Sequence, residues 1–386
     1  MIYLDNAATS WPKPERVYET ADRVFRLDAG NPGRSGHKLS LAAGRHIENT
    51  RLLAARLFNV PSAASIAFTL NTTDALNLAL KGVLVSGDHV IASSMEHNSV
   101  ARPLEALRNK GVDYTKVETS PLSGVAPGAV RAAITPNTRL VVMTHISNVT
   151  GTENPIAEIG ALCRERGILF LVDAAQSAGN RSIDVQEMNI DLLAFPGHKG
   201  LLGPQGTGGL YIREGLVLAT LREGGTGSRS EDLKQPEDSP GRYESGTANT
   251  AGIAALGEGI ALVLEEGAQR IGEREAALAS RLIEGIREIP GITLYGPGPG
   301  KTRSGTVSIT LDSLESAEVS LILDSSFDIA VRPGLHCAPD AHRLIGTLGS
   351  DGSRSSPGTV RISVGYFTTE DDIDKCLEAL AAVAAG

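Results

Sequence analysis

Short apolar runs rich in β-branched residues alternate along this chain with helix-length amphipathic segments. That alternation restricts the fold more than any other feature of the sequence. Residues 65–70, 89–92, 140–145, 168–173, 192–195 and 209–212 read as strands. Segments with helical periodicity lie at 73–81, 100–110 and 155–166, the last opening on Pro155, a residue suited to a first helical turn. Runs this apolar suit a buried, mainly parallel mixed sheet flanked by helices, an α/β arrangement. Right-handed crossovers would put every strand's C-terminal end on one side, where open α/β sheets bind ligands. Polar clusters fall there at 71–73, 93–98, 147–148, 173–176 and 197–199.

A chain of 386 residues exceeds one ordinary core, so two domains are expected. The large one is assigned to 15–256. A smaller α+β one takes 257–386, with residues 1–14 packed on it. Its marks are a long helical stretch from about 257, Gly-Pro-Gly-Pro-Gly at 296–300, strands at 305–311 and 359–364, and a closing helix from about 368. The formal charge is −9 with no basic run, which argues against nucleic acid as a partner. The first residues lack the marks of a signal peptide and no apolar stretch reaches membrane length, so the cytosol is the expected compartment.

Three cysteines, Cys163, Cys337 and Cys376, are widely spaced with no CxxC, which suits neither a disulfide framework nor a zinc site, and no metal is expected. Cys376 falls at helical spacing with Ile373, Leu377 and Leu380, and Cys163 with Ile156 and Ile159; both read as packing. Cys337 differs. It sits in Val-Arg-Pro-Gly-Leu-His-Cys-Ala-Pro ahead of a Gly/Ser-rich stretch, 346–358, that reads as a mobile loop. Thiolate is the reactive form, and His336 and Arg332 are placed to lower the thiol's pKa.

Lys199, in Gly-His-Lys-Gly after a strand, brings an amine to the sheet's carboxyl edge, where it can form a Schiff base with an aldehyde. A lysine alone is usually a solvated surface residue; its company changes that. Asp173 ends the apolar run Ile-Leu-Phe-Leu-Val-Asp, where a carboxylate can pair with a protonated pyridine nitrogen or cap a helix. Gln176 is placed to donate to a ring oxygen. Thr72 and Thr73 open a helix, whose amides, hydroxyls and dipole can hold a phosphate. His97, in Met-Glu-His-Asn, can stack on a ring and shuttle protons.

Together these residues resemble the class V, fold-type I, pyridoxal-phosphate enzymes, and within them the SufS-like cysteine desulfurases and selenocysteine lyases. The resemblance runs through Tyr-Leu-Asp-Asn-Ala-Ala-Thr at 3–9, Asn-Thr-Thr-Asp-Ala-Leu-Asn at 71–77, Met-Glu-His-Asn at 95–98, Thr-His-Ile-Ser-Asn-Val-Thr-Gly at 144–151, Val-Asp-Ala-Ala-Gln at 172–176, Gly-His-Lys at 197–199 and Glu-Ser-Gly-Thr-Ala-Asn at 244–249. It implies pyridoxal 5'-phosphate as cofactor, with Lys199 as its Schiff-base lysine, Asp173 on the ring nitrogen, Gln176 on the ring oxygen and His97 as the ring-stacking acid/base. Phosphate contacts would come from Thr72, Thr73 and His198, and Thr247 would reach the phosphate of the opposite subunit, which implies a homodimer. Asn148 would sit near substrate and cofactor. Where the family often has a phosphate-binding serine, this chain has Pro196.

The segment around Cys337 resembles Arg-x-Gly-x-His-Cys-Ala, whose cysteine takes sulfur from L-cysteine and passes it to an acceptor protein or small thiol. Arg361 matches the arginine that grips the substrate carboxylate, a task suited to a bidentate guanidinium. L-selenocysteine is an alternative substrate, and a class V aminotransferase or other lyase that does not use Cys337 is a second reading. The Gly/Ser-rich stretch differs from the loop of the best-known members, which leaves the acceptor open.

Overall fold

The computed structural model of the chain describes residues 1–33, 36–227, 231–349 and 358–386. A short strand, β1 (Ile2–Tyr3), pairs in parallel with a distant one, β13 (Ile329–Ala330). The main sheet comprises β2 (Ile66–Thr69), β3 (His89–Ser93), β4 (Asp113–Val117), β7 (Thr138–Thr144), β8 (Leu169–Asp173), β9 (Leu192–Pro196) and β10 (Gly208–Ile212), in the order β2-β10-β9-β8-β7-β3-β4. A small hairpin joins β5 (Thr119–Ser120) to β6 (Gly124–Val125). A second, antiparallel sheet has the order β11 (Ile292–Tyr295), β12 (Thr306–Leu311), β15 (Thr359–Ser363), β14 (Arg332–Gly334).

Side-chain alternation along the central strands builds two cores. Val141, Met143, Phe170, Val172, Leu193 and Phe195 face one, which is closed by the helices Lys38–Leu57, Ile156–Arg166 and Thr250–Glu266. Leu140, Val142, Leu169, Leu171, Leu192 and Ala194 face the other, under Thr72–Val83 and Asn98–Arg108. Because both faces are covered, the strands must be apolar throughout, and each such side chain contributes about 1.5–3 kcal/mol by leaving water. The helix Thr250–Glu266 crosses residue 257 and gives Ile253, Leu256 and Ile260 to the main-sheet core. A separate core forms on the second sheet, where Leu4 packs with Leu278, Leu282, Val319, Leu323, Ile373 and Leu380.

One expectation needs correction. The strand β10 runs antiparallel to both β9 and β2, so its C-terminal end points away from the others. The remaining strands share a direction, and the loops after β2, β3, β7, β8 and β9 meet at one edge. Of the Gly/Ser-rich stretch expected to be a mobile loop, residues 350–357 lie outside the described residues. Among the described residues, no helix is long and apolar enough to cross a membrane.

The N-terminal segment links the two sheets. Asp5 bridges to Ser363 at the end of β15, the Ser363 amide donates to Leu4 O at 2.7 Å, and the Ala7 amide donates to Ser363 Oγ at 2.9 Å. Further on, the Ser10 amide donates to His198 O at 3.0 Å and its hydroxyl to Lys199 O at 2.8 Å.

Candidate active site

At the edge where the five loops meet lies a cavity of about 300 Å3, a volume at the lower end of small-molecule sites. Its lining brings together Thr72, Thr73, His97, Asn148, Asp173, Gln176, His198, Lys199, Arg332, His336, Cys337 and Arg361. Twelve expected residues, drawn from segments more than 280 positions apart, therefore share one wall. Thr247 does not reach it; the residue is exposed and lines a separate groove with Phe68, Arg222 and Glu244.

Burial, Arg361 and Arg332 hold the Lys199 amine well below the usual lysine value, at about 8, while Asp173 and Asp5 oppose them. Roughly a tenth of the amine is then free base at pH 7. Asp173 is 2 % exposed and burial pushes its carboxyl up to about 6, against the opposing Ala175 amide bond of 2.9 Å. A cation placed beside it would repay that desolvation.

Two helix N-termini open onto the cavity. Asn71 caps the helix Thr72–Val83 by accepting from the Asp74 amide at 3.0 Å. His97 caps the helix Asn98–Arg108, its Nδ1 accepting from the Ser99 amide at 3.0 Å. A nitrogen that accepts from an amide carries a lone pair, so the imidazole proton sits on Nε2. Burial first, and then Lys199 and Arg332, push His97 down to about 4, which keeps the ring neutral. Ser99 Oγ ties this histidine to Thr73 Oγ1, with 2.8 Å to each.

The donor set was tested for its fit to a pyridoxal phosphate. The Thr72 hydroxyl and His198 Nδ1 are buried with no protein partner, at the N-terminus of one helix and beside the lysine. Together with an amine of depressed pKa and a buried carboxylate in want of a cation, they fit an aldehyde, a phosphate and a protonated ring nitrogen. The Gln176 amide, expected on a ring oxygen, donates to Ala7 O at 3.0 Å.

Cys337 stands at the cavity's rim, and its thiol is exposed, whereas Cys163 and Cys376 are buried and pushed up to about 12. His336 and Cys337 both adopt left-handed backbone, φ 49° and 58°, at a cost of about 1–3 kcal/mol each for residues with a side chain. Two contacts hold the turn: Asn148 Nδ2 donates to His336 O, and the Asn98 amide donates to Cys337 O, both at 2.7 Å. His336 was expected to help ionise the thiol, and here the expectation fails. Burial, and then Arg361, push its ring down to about 2, so it is neutral, and its Nε2 pairs with Thr359 Oγ1 at 3.0 Å. The permanent cations of this corner are Arg332 and Arg361, which face each other across β14 and β15.

Arg361 is 1 % exposed. Its guanidinium donates to Asp5 Oδ1 at 2.8 Å and to Asn148 O at 3.2 Å. Asp5 and Glu96 both belong to motifs already quoted, yet neither drew attention as a site residue. Glu96 is buried, accepting on Oε1 from the Ser93 hydroxyl at 2.5 Å and the Thr144 amide at 2.9 Å, and burial pushes its acid up to about 8. A glutamate inside a run of site residues was the available signal.

Comparison with known proteins points the same way. The family model for Aminotransferase class-V matches residues 2–376. A probable cysteine desulfurase of Methanothermobacter thermautotrophicus is 36% identical over 388 aligned positions, covering 99% of this chain and 94% of that protein. A cysteine desulfurase of Salmonella dublin is 33% identical, covering 99% of this chain and 93% of its own length. Among solved structures, the apo cysteine desulfurase of Thermococcus onnurineus NA1 superposes with a TM-score of 0.92 at 32% identity, covering 100% of this chain and 95% of that one. The cysteine desulfurase CsdA of Escherichia coli gives 0.87 at 26% identity, covering 99% and 94%.

Proposed function

Because the chain belongs to the aminotransferase class-V family, with cysteine desulfurases among its relatives over nearly its whole length, we propose that it is a cysteine desulfurase converting L-cysteine to L-alanine. The observation that carries this reading is the exposed Cys337 thiol on the rim of the cavity that holds Lys199, Asp173 and Arg361. A reading without Cys337 leaves the strained turn that presents it unexplained.

Pyridoxal 5'-phosphate, when bound, supplies an electron sink for the substrate's α-carbon. Lys199 anchors it and, as a free amine, takes the Cα proton on Nζ. Asp173 pairs with the ring nitrogen, and Gln176 faces the ring oxygen. Thr72, Thr73 and His198 hold the phosphate at the helix N-terminus. Neutral His97 stacks on the ring and offers its Nε2 proton. Arg361 grips the substrate carboxylate, with Asn148 and Arg332 beside it, and His336 supports the turn under the thiol.

The Cys337 thiolate then attacks the substrate sulfur. An S–S bond forms as the Cβ–S bond breaks and the electron pair stays with carbon; Cβ takes a proton, Lys199 returns one to Cα, and alanine leaves. A thiol acceptor, protein or small molecule, attacks the outer sulfur of the Cys337 persulfide and restores the thiolate. Thr247 acts across a homodimer interface on the partner's phosphate.

The test is release of sulfide and alanine from L-cysteine, with a reductant, by the cofactor-loaded wild type and by Cys337→Ala. Equal amounts of both products from wild type and neither from the variant are expected. Undiminished turnover by Cys337→Ala would remove the thiol from the reaction, and exclusive turnover of L-selenocysteine by wild type would replace the substrate. Light scattering checks the dimer.

A further inference from the structure

We propose that Asp5 lowers the positive charge of the substrate-carboxylate pocket and so favours amino acids with one acidic group over those with two. The proposal rests on the desulfurase reading only in taking Arg361 as the partner of the substrate's carboxylate.

Arg332 and Arg361 face each other across paired strands and line the same cavity. Two guanidinium groups at one wall, always protonated, would hold a dianion better than a monoanion. Asp5 is the carboxylate that pairs with Arg361, its Oδ1 2.8 Å from the terminal nitrogen. The histidines and the tyrosine of this corner add little charge. His97, His336 and His342 are neutral by burial, and burial pushes the Tyr3 phenol up to about 12. Asp5 thus offsets one of the two guanidinium charges on this wall, which suits it to the single carboxylate of L-cysteine or L-alanine.

The carboxylate is held in place by backbone, not by its own charge. Asp5 bridges to Ser363, the Ser363 amide bonds to Leu4 O, and the Tyr3 hydroxyl donates to Asp5 O at 3.2 Å. Replacing the side chain therefore leaves the segment anchored. It leaves Arg361 with its bond to Asn148 O and adds one unit of positive charge to the pocket. An amino acid with a second acidic group, such as L-aspartate, gains from that charge more than L-alanine does.

The experiment is calorimetric titration of the cofactor-loaded protein with L-aspartate and with L-alanine, for wild type, Asp5→Asn, Asp5→Ser and Asp5→Glu. In both neutral variants the ratio of dissociation constants, aspartate over alanine, is expected to fall by about tenfold or more, as one added charge in a partly desolvated site implies. Asp5→Glu, which keeps the charge, should restore the wild-type ratio, and KM for L-cysteine should move more than kcat. A ratio within about twofold of wild type in both neutral variants, or an equal fall in Asp5→Glu, overturns the proposal. Neither amino acid needs to react, so a failure of the desulfurase reading shows in the sulfide assay and leaves this titration interpretable.

Discussion

Glu96→Gln should flatten the pH dependence of stability. The Glu96 acid is pushed from its ordinary 4.5 up to about 8, by burial first and with a contribution from Asp173, so the folded chain keeps a proton that the unfolded chain releases. The stability linked to that proton is complete below about 4.5 and is lost as pH rises through about 8. Within that window one retained proton changes stability by up to about 1.4 kcal/mol per pH unit, or roughly 3 kcal/mol between about pH 5 and pH 7.5. Glutamine keeps the oxygen that accepts from the Ser93 hydroxyl and the Thr144 amide but carries no titrating proton. Urea denaturation of both proteins across this range, followed by circular dichroism, gives the difference directly, and groups common to both cancel. Wild type should lose stability relative to the variant with rising pH. Parallel curves, within about 0.5 kcal/mol throughout, would refute a protonated Glu96.

Removing the guanidinium in Arg361→Ala should lower kcat/KM for L-cysteine by roughly a hundredfold or more, because the substrate carboxylate loses its partner and partly buried Asp5 is left unpaired; a change within about threefold, read from initial rates, would dismiss Arg361 as the carboxylate site. The Lys199 amine, held at about 8, should be trapped by pyridoxal phosphate and borohydride in cofactor-free protein at a rate that climbs with pH and levels off above about 8. Peptide mapping separates it from surface lysines, and a rate at Lys199 still rising steeply near the ordinary value of 10.5 would contradict the depressed pKa.

Burial on both faces is why the main sheet was legible: Leu-Phe-Leu-Val, ahead of Asp173, is apolar throughout because each of its residues is buried. The strand β4, Asp-Tyr-Thr-Lys-Val, escaped because it lies at a sheet edge, where exposed polar side chains are favoured. The direction of β10 left no mark in its apolar run, and the structure supplies the reason for it. Residues 197–207 contain no helix between β9 and β10 and are too few for a parallel crossover, which takes about a dozen or more residues. The candidate site residues stood out where chemistry demands an unusual residue at a strand end, as with Lys199 and Asp173. The charge of His336 could not be read that way, because its neutrality comes from burial beneath residues far along the chain. Asp5 was hidden for a similar reason, since its partner Arg361 lies 356 positions away.

That separation has a consequence during synthesis. Residues 2–10 leave the ribosome well before their strand partner at Ile329 and their bridge partner at Ser363, which follow more than about 320 residues later. At translation speeds of about 5–20 residues per second, the segment waits roughly 20–70 s for them. Meanwhile the nascent chain can complete the seven-stranded sheet and its lysine, yet it lacks Arg361, Cys337 and the β-bridge that seats Asp5. Assembly of the reaction site thus waits for the segment that carries Cys337, Arg361 and Ser363, and a fragment released before it holds the cofactor lysine without the thiol that would use it.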